Sequence, residues 1–288
     1  MKNIILHGSA IDKLKTIPEN TIDMCMTSPP YWGLRDYQED GQLGMEKDYN
    51  EYITKLCDIF DEVKRVLKKE GSCCVNLGDT YLPNKSLCMV PQRFAIEMIN
   101  RGWILRNTII WQKPNAMPEN VKDRFTVDFE FLYFFVKQPK YYFKQQFESI
   151  KYNSLMRKRR GNNKNKYSGY QSLSQVRENK GYDNLDEEYN NHPGRNKRAV
   201  WNINTTSFHG QHLATYPEEL CKTPIDAGCP ENGIVLDPFM GAGTTALAAI
   251  NLNKNFLGIE LNKNYIDMAM KRIQPYLEQG KLFQKEIL

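Results

Sequence analysis

The chain has 288 residues, 41% of them hydrophobic, and a net charge of +5 from 39 Lys and Arg against 34 Asp and Glu. That is enough apolar content for a real core in one large domain or two modest ones. No run approaches the roughly 20 apolar residues of a membrane span, and the opening MKNIILHGS lacks a signal-peptide pattern. The seven cysteines have no CxxC spacing, which indicates neither a disulfide framework nor a zinc site and suits a reducing cytoplasm.

In chain order, the first predicted strand is Asn3–Leu6 and the second Thr21–Met26. The second must stop at Thr27-Ser28-Pro29-Pro30-Tyr31-Trp32, where two prolines remove two backbone donors. A helix is predicted over Tyr49–Lys69, its Ile53, Leu56, Phe60, Val63 and Leu67 recurring at helical spacing. A strand at Cys73–Leu77, a helix at Met89–Arg101 and strands at Thr108–Gln112 and Phe129–Val136 follow. From about residue 140 to residue 199 no strong periodicity survives. Between Lys151 and Val200 there are 12 Lys and Arg against 5 Asp and Glu, so the remaining chain sums to −2. Such a run, which includes Arg157-Lys158-Arg159-Arg160, is either a solvated face or a polyanion footprint, since clustered cations release the counterions condensed on nucleic acid.

After this interval, helices are predicted at Glu218–Ala227, Thr244–Asn253 and Asn262–Arg272, with strands at Ile234–Leu236 and Asn255–Ile259. The alternation implies an α/β fold, a mainly parallel sheet covered on both faces and assembled from two separated pieces of chain. Ile234-Val235-Leu236 is a buried-strand signature that runs into Asp237-Pro238-Phe239, and Gly241 and Gly243 permit a tight turn before Thr244 opens a helix. A helix start of this kind can hold an anionic group. Glu260, at the end of the next strand, is suited to accept hydrogen bonds from ribose hydroxyls. Only 28 residues follow Glu260, too few for the second mononucleotide half of a dinucleotide-binding fold. A single nucleoside ligand with a small anionic group therefore fits better than a nicotinamide or flavin.

The combination of TSPPYW, DPFMGAGTT and GIELN, in that order around a basic segment, resembles the β group of amino-group DNA methyltransferases. The resemblance covers nearly all of the chain outside the basic insertion. It implies a circularly permuted Rossmann-like class I methyltransferase sheet. Residues 1–139 would be the catalytic part, residues 140–199 a target-recognition insertion and residues 200–288 the cofactor-binding part. The implied cofactor is S-adenosylmethionine and the implied substrate is duplex DNA, in a bacterial or phage setting, with a cognate restriction endonuclease as a further possible partner and either a monomer or a homodimer as the assembly. Asp237, Phe239, Gly241, Gly243 and Thr244 would form the cofactor loop and Glu260 would hold the ribose. His212, Ala214 and Pro217 would approach the methionine end. Ser9 stands where the family commonly has an aspartate, and Ala242 where serine is frequent.

For the chemistry, Ser28, Pro29, Pro30 and Tyr31 are the expected catalytic residues. An exocyclic amine is a poor nucleophile because its lone pair is delocalised, and acceptors on its hydrogens, such as Ser28 Oγ and the Pro29 carbonyl, can free that pair. Tyr31 offers a face for an extruded base. Carbon-5 cytosine methylation would need a thiolate, typically in a Pro-Cys dipeptide, and none of the 14 prolines precedes a cysteine. In the family, Ser-Pro-Pro-Tyr goes with N4-cytosine, whereas Asp or Asn in the first position is commoner among N6-adenine enzymes. The expectation is N4-cytosine, with N6-adenine as the alternative and a catalytically silent DNA-binding module as the remote one. Arg157 to Arg160 would hold phosphates. Arg35, Asp36, Asp79, Trp111 and Lys113 are candidates for the lining, with structural pairing as their alternative.

Overall fold

The computed structural model describes residues 1–34, 36, 39–149, 194–205 and 216–285, with side chains to residue 278. The chain divides into two units, one of residues 1–144 with 199–288 and the other of residues 145–198. In the second, the described residues form a two-stranded antiparallel ribbon, β6 (Phe147–Glu148) with β7 (Arg195–Asn196).

Among the described residues, the first unit is built on eight strands. They are β1 (Ile4–His7), β2 (Ile22–Thr27), β3 (Leu67–Leu77), β4 (Ile104–Gln112), β5 (Phe129–Val136), β8 (Val200–Asn202), β9 (Ile234–Asp237) and β10 (Asn255–Glu260), in the spatial order β1-β10-β9-β2-β3-β5-β4-β8. All pairings are parallel except the two made by β5. β2 and β9 are buried at every residue, as central strands covered on both faces must be.

One face is covered by α1 (Ala10–Lys15), α2 (Tyr49–Val66) and α3 (Val90–Asn100), the other by α4 (Glu218–Gly228), α5 (Thr244–Asn251) and α6 (Lys263–Lys285). The α2 stripe Ile53, Leu56, Phe60 and Val63 is buried, and Asp48 caps the helix by accepting from the amides of Asn50 and Glu51. All seven cysteines are buried and unpaired.

Two helix ends differ from the sequence reading, and two short elements are missing from it. The expected helix to Lys69 ends at Val66, because Leu67 turns extended and joins the sheet opposite Ile22. The expected helix end at Arg272 gives way to a helix that continues through Pro275 to Lys285, although an internal proline ordinarily ends or kinks a helix. Neither α1 nor the three-residue β8 stands out in the sequence, since each is too short to show a period.

Candidate active site

The parallel strands bring their C-terminal ends to one edge, the usual position of a ligand crevice in an open α/β sheet. A cleft of about 850 Å³ opens there. It is lined by the β1 exit at Gly8 to Ile11, by Ser28 to Tyr31 after β2, by the loop after β9 and by Glu260 to Asn262 after β10. Because β5 runs antiparallel, it is its beginning, at Glu130, that reaches this edge, next to Lys113 just past the end of β4.

The loop after β9 is held from below. Asp237 is fully buried, and its carboxylate accepts from Thr27 Oγ1 at 2.6 Å, the Phe239 amide at 3.0 Å, Tyr216 Oη at 3.2 Å and Thr245 Oγ1 at 2.5 Å. Burial raises its pKa, and those donors pull it back. Asp237 is therefore a pin beneath the loop and does not line the cleft. Gly243, at φ +81°, also faces away. A Cβ there would come within 3.0 Å of both Ala269 and Ile273 on α6. Phe239, Gly241 and Thr244 do line the cleft, as does Ala242, whose carbonyl accepts from Arg272. Gly243→Ala is expected to cost about 2–4 kcal/mol, from left-handed backbone strain together with overpacking against α6; urea unfolding of the variant measures it.

Glu260 is half-buried, with Oε2 accepting from the Gly241 amide at 2.7 Å and Oε1 from the Asn262 amide at 2.9 Å. Its pKa is raised, by burial first. Each oxygen keeps acceptor capacity toward the cleft, so the site suits a diol. Ser9 lines the same end, whereas Pro217 is the buried residue that precedes α4 and lies off the cleft.

At the other end, the two aromatic rings of TSPPYW part company. Trp32 donates Nε1–H to the Glu46 carbonyl at 3.0 Å and packs edge-on against Tyr49, with ring centroids 5.8 Å apart. Tyr31 faces the cleft, its ring passing so close to Gly78 that a Cβ there would lie 2.7 Å from Tyr31 Cε2. The Pro30 carbonyl accepts from Tyr52 Oη at 2.8 Å. Tyr31 Oη donates to Glu130 Oε2 at 2.6 Å and accepts from Asn76 Nδ2 at 2.8 Å and from Ser28 Oγ at 3.4 Å. Glu130 is ion-paired with Lys113.

Glu130, Asn76, Thr27 and Tyr216 escaped the sequence reading. A lone carboxylate in FEFLYFFV and a lone amide in CCVNL were the available signals. Trp111 and Lys113 line the cleft, whereas Asp79 accepts from the amides of Thr80 and Val90 and sits at the start of α3. Asp36 does not line the cleft. His212, Ala214, Arg35, Arg157, Lys158, Arg159 and Arg160 lie outside the described residues.

The type II methyltransferase M.Cfr9I of Citrobacter freundii is 35% identical to this chain over 94% of it and 87% of the relative. Among solved structures, PvuII DNA methyltransferase (cytosine-N4-specific) superposes with a TM-score of 0.65 at 19% identity, over 93% of this chain and 85% of that one. The M1.HpyAVI-SAM complex gives a TM-score of 0.56 at 22% identity, over 93% and 98%. Both share the fold of the sheet described above. The family model for N6/N4 DNA methylases matches residues 22–271, and the chain belongs to that family.

Proposed function

We propose that this DNA methylase moves the methyl group of S-adenosylmethionine to the exocyclic N4 of a flipped cytosine in duplex DNA. The observation that carries the reading is the single cleft shared by the TSPPYW segment and the glycine loop. S-adenosylmethionine, when bound, supplies an electrophilic methyl on a sulfonium. Glu260, with acceptor capacity to spare, would take the ribose hydroxyls. Phe239, Gly241 and Thr244 would line the rest of its seat, with Ser9 at the exit of β1, while Asp237 and Gly243 keep the loop in shape. His212 and Ala214 remain assigned to the methionine end, while Pro217, buried off the cleft, would only support the segment that precedes α4.

Ser28, Pro29, Pro30 and Tyr31 are the proposed catalytic residues. Ser28 Oγ and the Pro29 carbonyl accept the amine hydrogens, freeing the nitrogen lone pair, and the Pro-Pro unit aims that carbonyl without adding a donor. Tyr31 stacks on the base. No covalent intermediate is needed, so catalysis rests on positioning and electrostatics. Serine at the head of the motif favours cytosine over adenine. Residues 140–199 are the proposed target-recognition part, between the catalytic part at 1–139 and the cofactor part at 200–288. A cognate restriction endonuclease and a cytoplasmic place in a bacterial or phage-infected cell go with that reading.

Incubation with methyl-labelled S-adenosylmethionine and duplex DNA tests the proposal. Label in the DNA supports it; cofactor binding with unlabelled DNA would leave only the silent module. Neutralising Arg157, Lys158, Arg159 and Arg160 together should weaken DNA binding and flatten the slope of log K against log salt by up to about 3–4 units, near 0.9 for each phosphate no longer neutralised. An unchanged slope would return those residues to a solvated face.

A further inference from the structure

The polar row behind Tyr31 has a forced direction, and that direction bears on what Ser28 offers the base. Glu130, paired with Lys113, is an ionised carboxylate and can only accept. Its Oε2 receives both Tyr31 Oη at 2.6 Å and Asn76 Nδ2 at 2.6 Å. Turning the Asn76 amide round would set its oxygen against the carboxylate, so its nitrogen must point there. The single phenolic hydrogen of Tyr31 is therefore committed to Glu130, and its oxygen is left to accept, from Asn76 at 2.8 Å and Ser28 at 3.4 Å. Burial first, and then the charge of Glu130, raise the Tyr31 pKa and keep the phenol protonated. Gly78 leaves room for the ring, so the hydroxyl can reach this position.

We infer that Glu130, together with Lys113 and Asn76, forms a set of positioning residues that act through the Tyr31 hydroxyl to turn the Ser28 hydrogen away from the base, so that Ser28 Oγ meets the target amine as an acceptor. The inference rests on the methyltransferase reading and deepens it. A serine free to rotate would spend part of its time presenting its own hydrogen to the amine, a donor facing a donor. The row removes that state before the base arrives. Pairs of charged and neutral hydrogen-bonding groups buried in this way polarise one another. The long Ser28–Tyr31 hydrogen bond is the weakest of the row and the first to break when the row is cut.

The test is single-turnover methyl transfer at saturating cofactor and DNA. Tyr31→Phe keeps the ring and deletes one oxygen. It is expected to slow transfer by about tenfold or more while the dissociation constants of S-adenosylhomocysteine and DNA change by less than about threefold. Glu130→Ala should give a similar loss, and Glu130→Gln, which keeps one acceptor oxygen, should recover part of it. The Tyr31→Phe/Glu130→Ala double variant should fall no more than about twofold below the slower single, because the two act in one row. Ser28→Ala should cost far less in the Tyr31→Phe background than in the wild type. Wild-type transfer by Tyr31→Phe, with Ser28→Ala slow, overturns the row and leaves the enzyme reading standing, and this arm does not depend on Glu130→Ala folding. Multiplicative losses in the double variant also overturn it. Wild-type transfer by Ser28→Ala instead overturns the catalytic reading on which the row depends.

Discussion

Ser28→Ala is expected to slow methyl transfer by about a hundredfold or more, the usual cost of deleting one preorganised polar group at a reacting centre. The side chain is small and half-buried at the end of β2, and its only described hydrogen bond is the long one to Tyr31 Oη at 3.4 Å, so folding should be little affected. Cofactor affinity should also hold, because the glycine loop and Glu260 are on other strands. The signature is thus a fall in single-turnover rate with an unchanged dissociation constant for S-adenosylhomocysteine. Equal losses in rate and in cofactor affinity would mean that Ser28 serves the cofactor seat.

The largest effect on stability is expected at Asp237. Asp237→Ala strands the donors of Thr27, Thr245, Tyr216 and the Phe239 amide in the interior. Buried donors left unpaired are costly, and a loss of about 4 kcal/mol follows, corresponding to a fall of roughly 8–16 °C in Tm. Asp237→Asn should be far milder, since three of the four donors are hydroxyls that can turn and accept from the amide. The pair also carries a pH signature. Burial raises the folded pKa of Asp237 above its unfolded value, so the folded state holds the proton more tightly. The contribution is complete below the ordinary carboxylate range and is lost as pH rises through the raised value. The stability of the wild type relative to Asp237→Asn should therefore grow as pH falls through that interval. Urea unfolding at several pH values measures it, and a difference that shrinks toward acid would mean that the hydrogen bonds outweigh burial.

Much of the site is legible in the sequence because its local chemistry is unusual. Two prolines and a serine must end a strand, and glycines between a buried strand and a helix must turn tightly. What stays hidden depends on strand pairing. Thr27 meets Asp237 across 210 positions of sequence, and Glu130 reaches Tyr31 only because β5 runs against its neighbours. In FEFLYFFV the alternation announces a strand but not its direction, so the residue at its beginning cannot be assigned to either edge. The same limit hides the division of labour within the loop. Asp237 and Gly243 look like ligand contacts in sequence, yet they face the Thr27 hydroxyl and α6. Helix ends depart from the sequence expectation where packing overrides local cues, at Leu67 and at Pro275.

The most direct measurement is the identity of the base that carries the methyl group. Duplex DNA of mixed sequence, treated with the purified protein and S-adenosylmethionine and digested to nucleosides, should yield N4-methyldeoxycytidine by mass spectrometry, and Ser28→Ala should yield almost none. N6-methyldeoxyadenosine in its place would contradict the assignment of the base, and an unmodified digest from protein that binds the cofactor would contradict the enzyme reading itself.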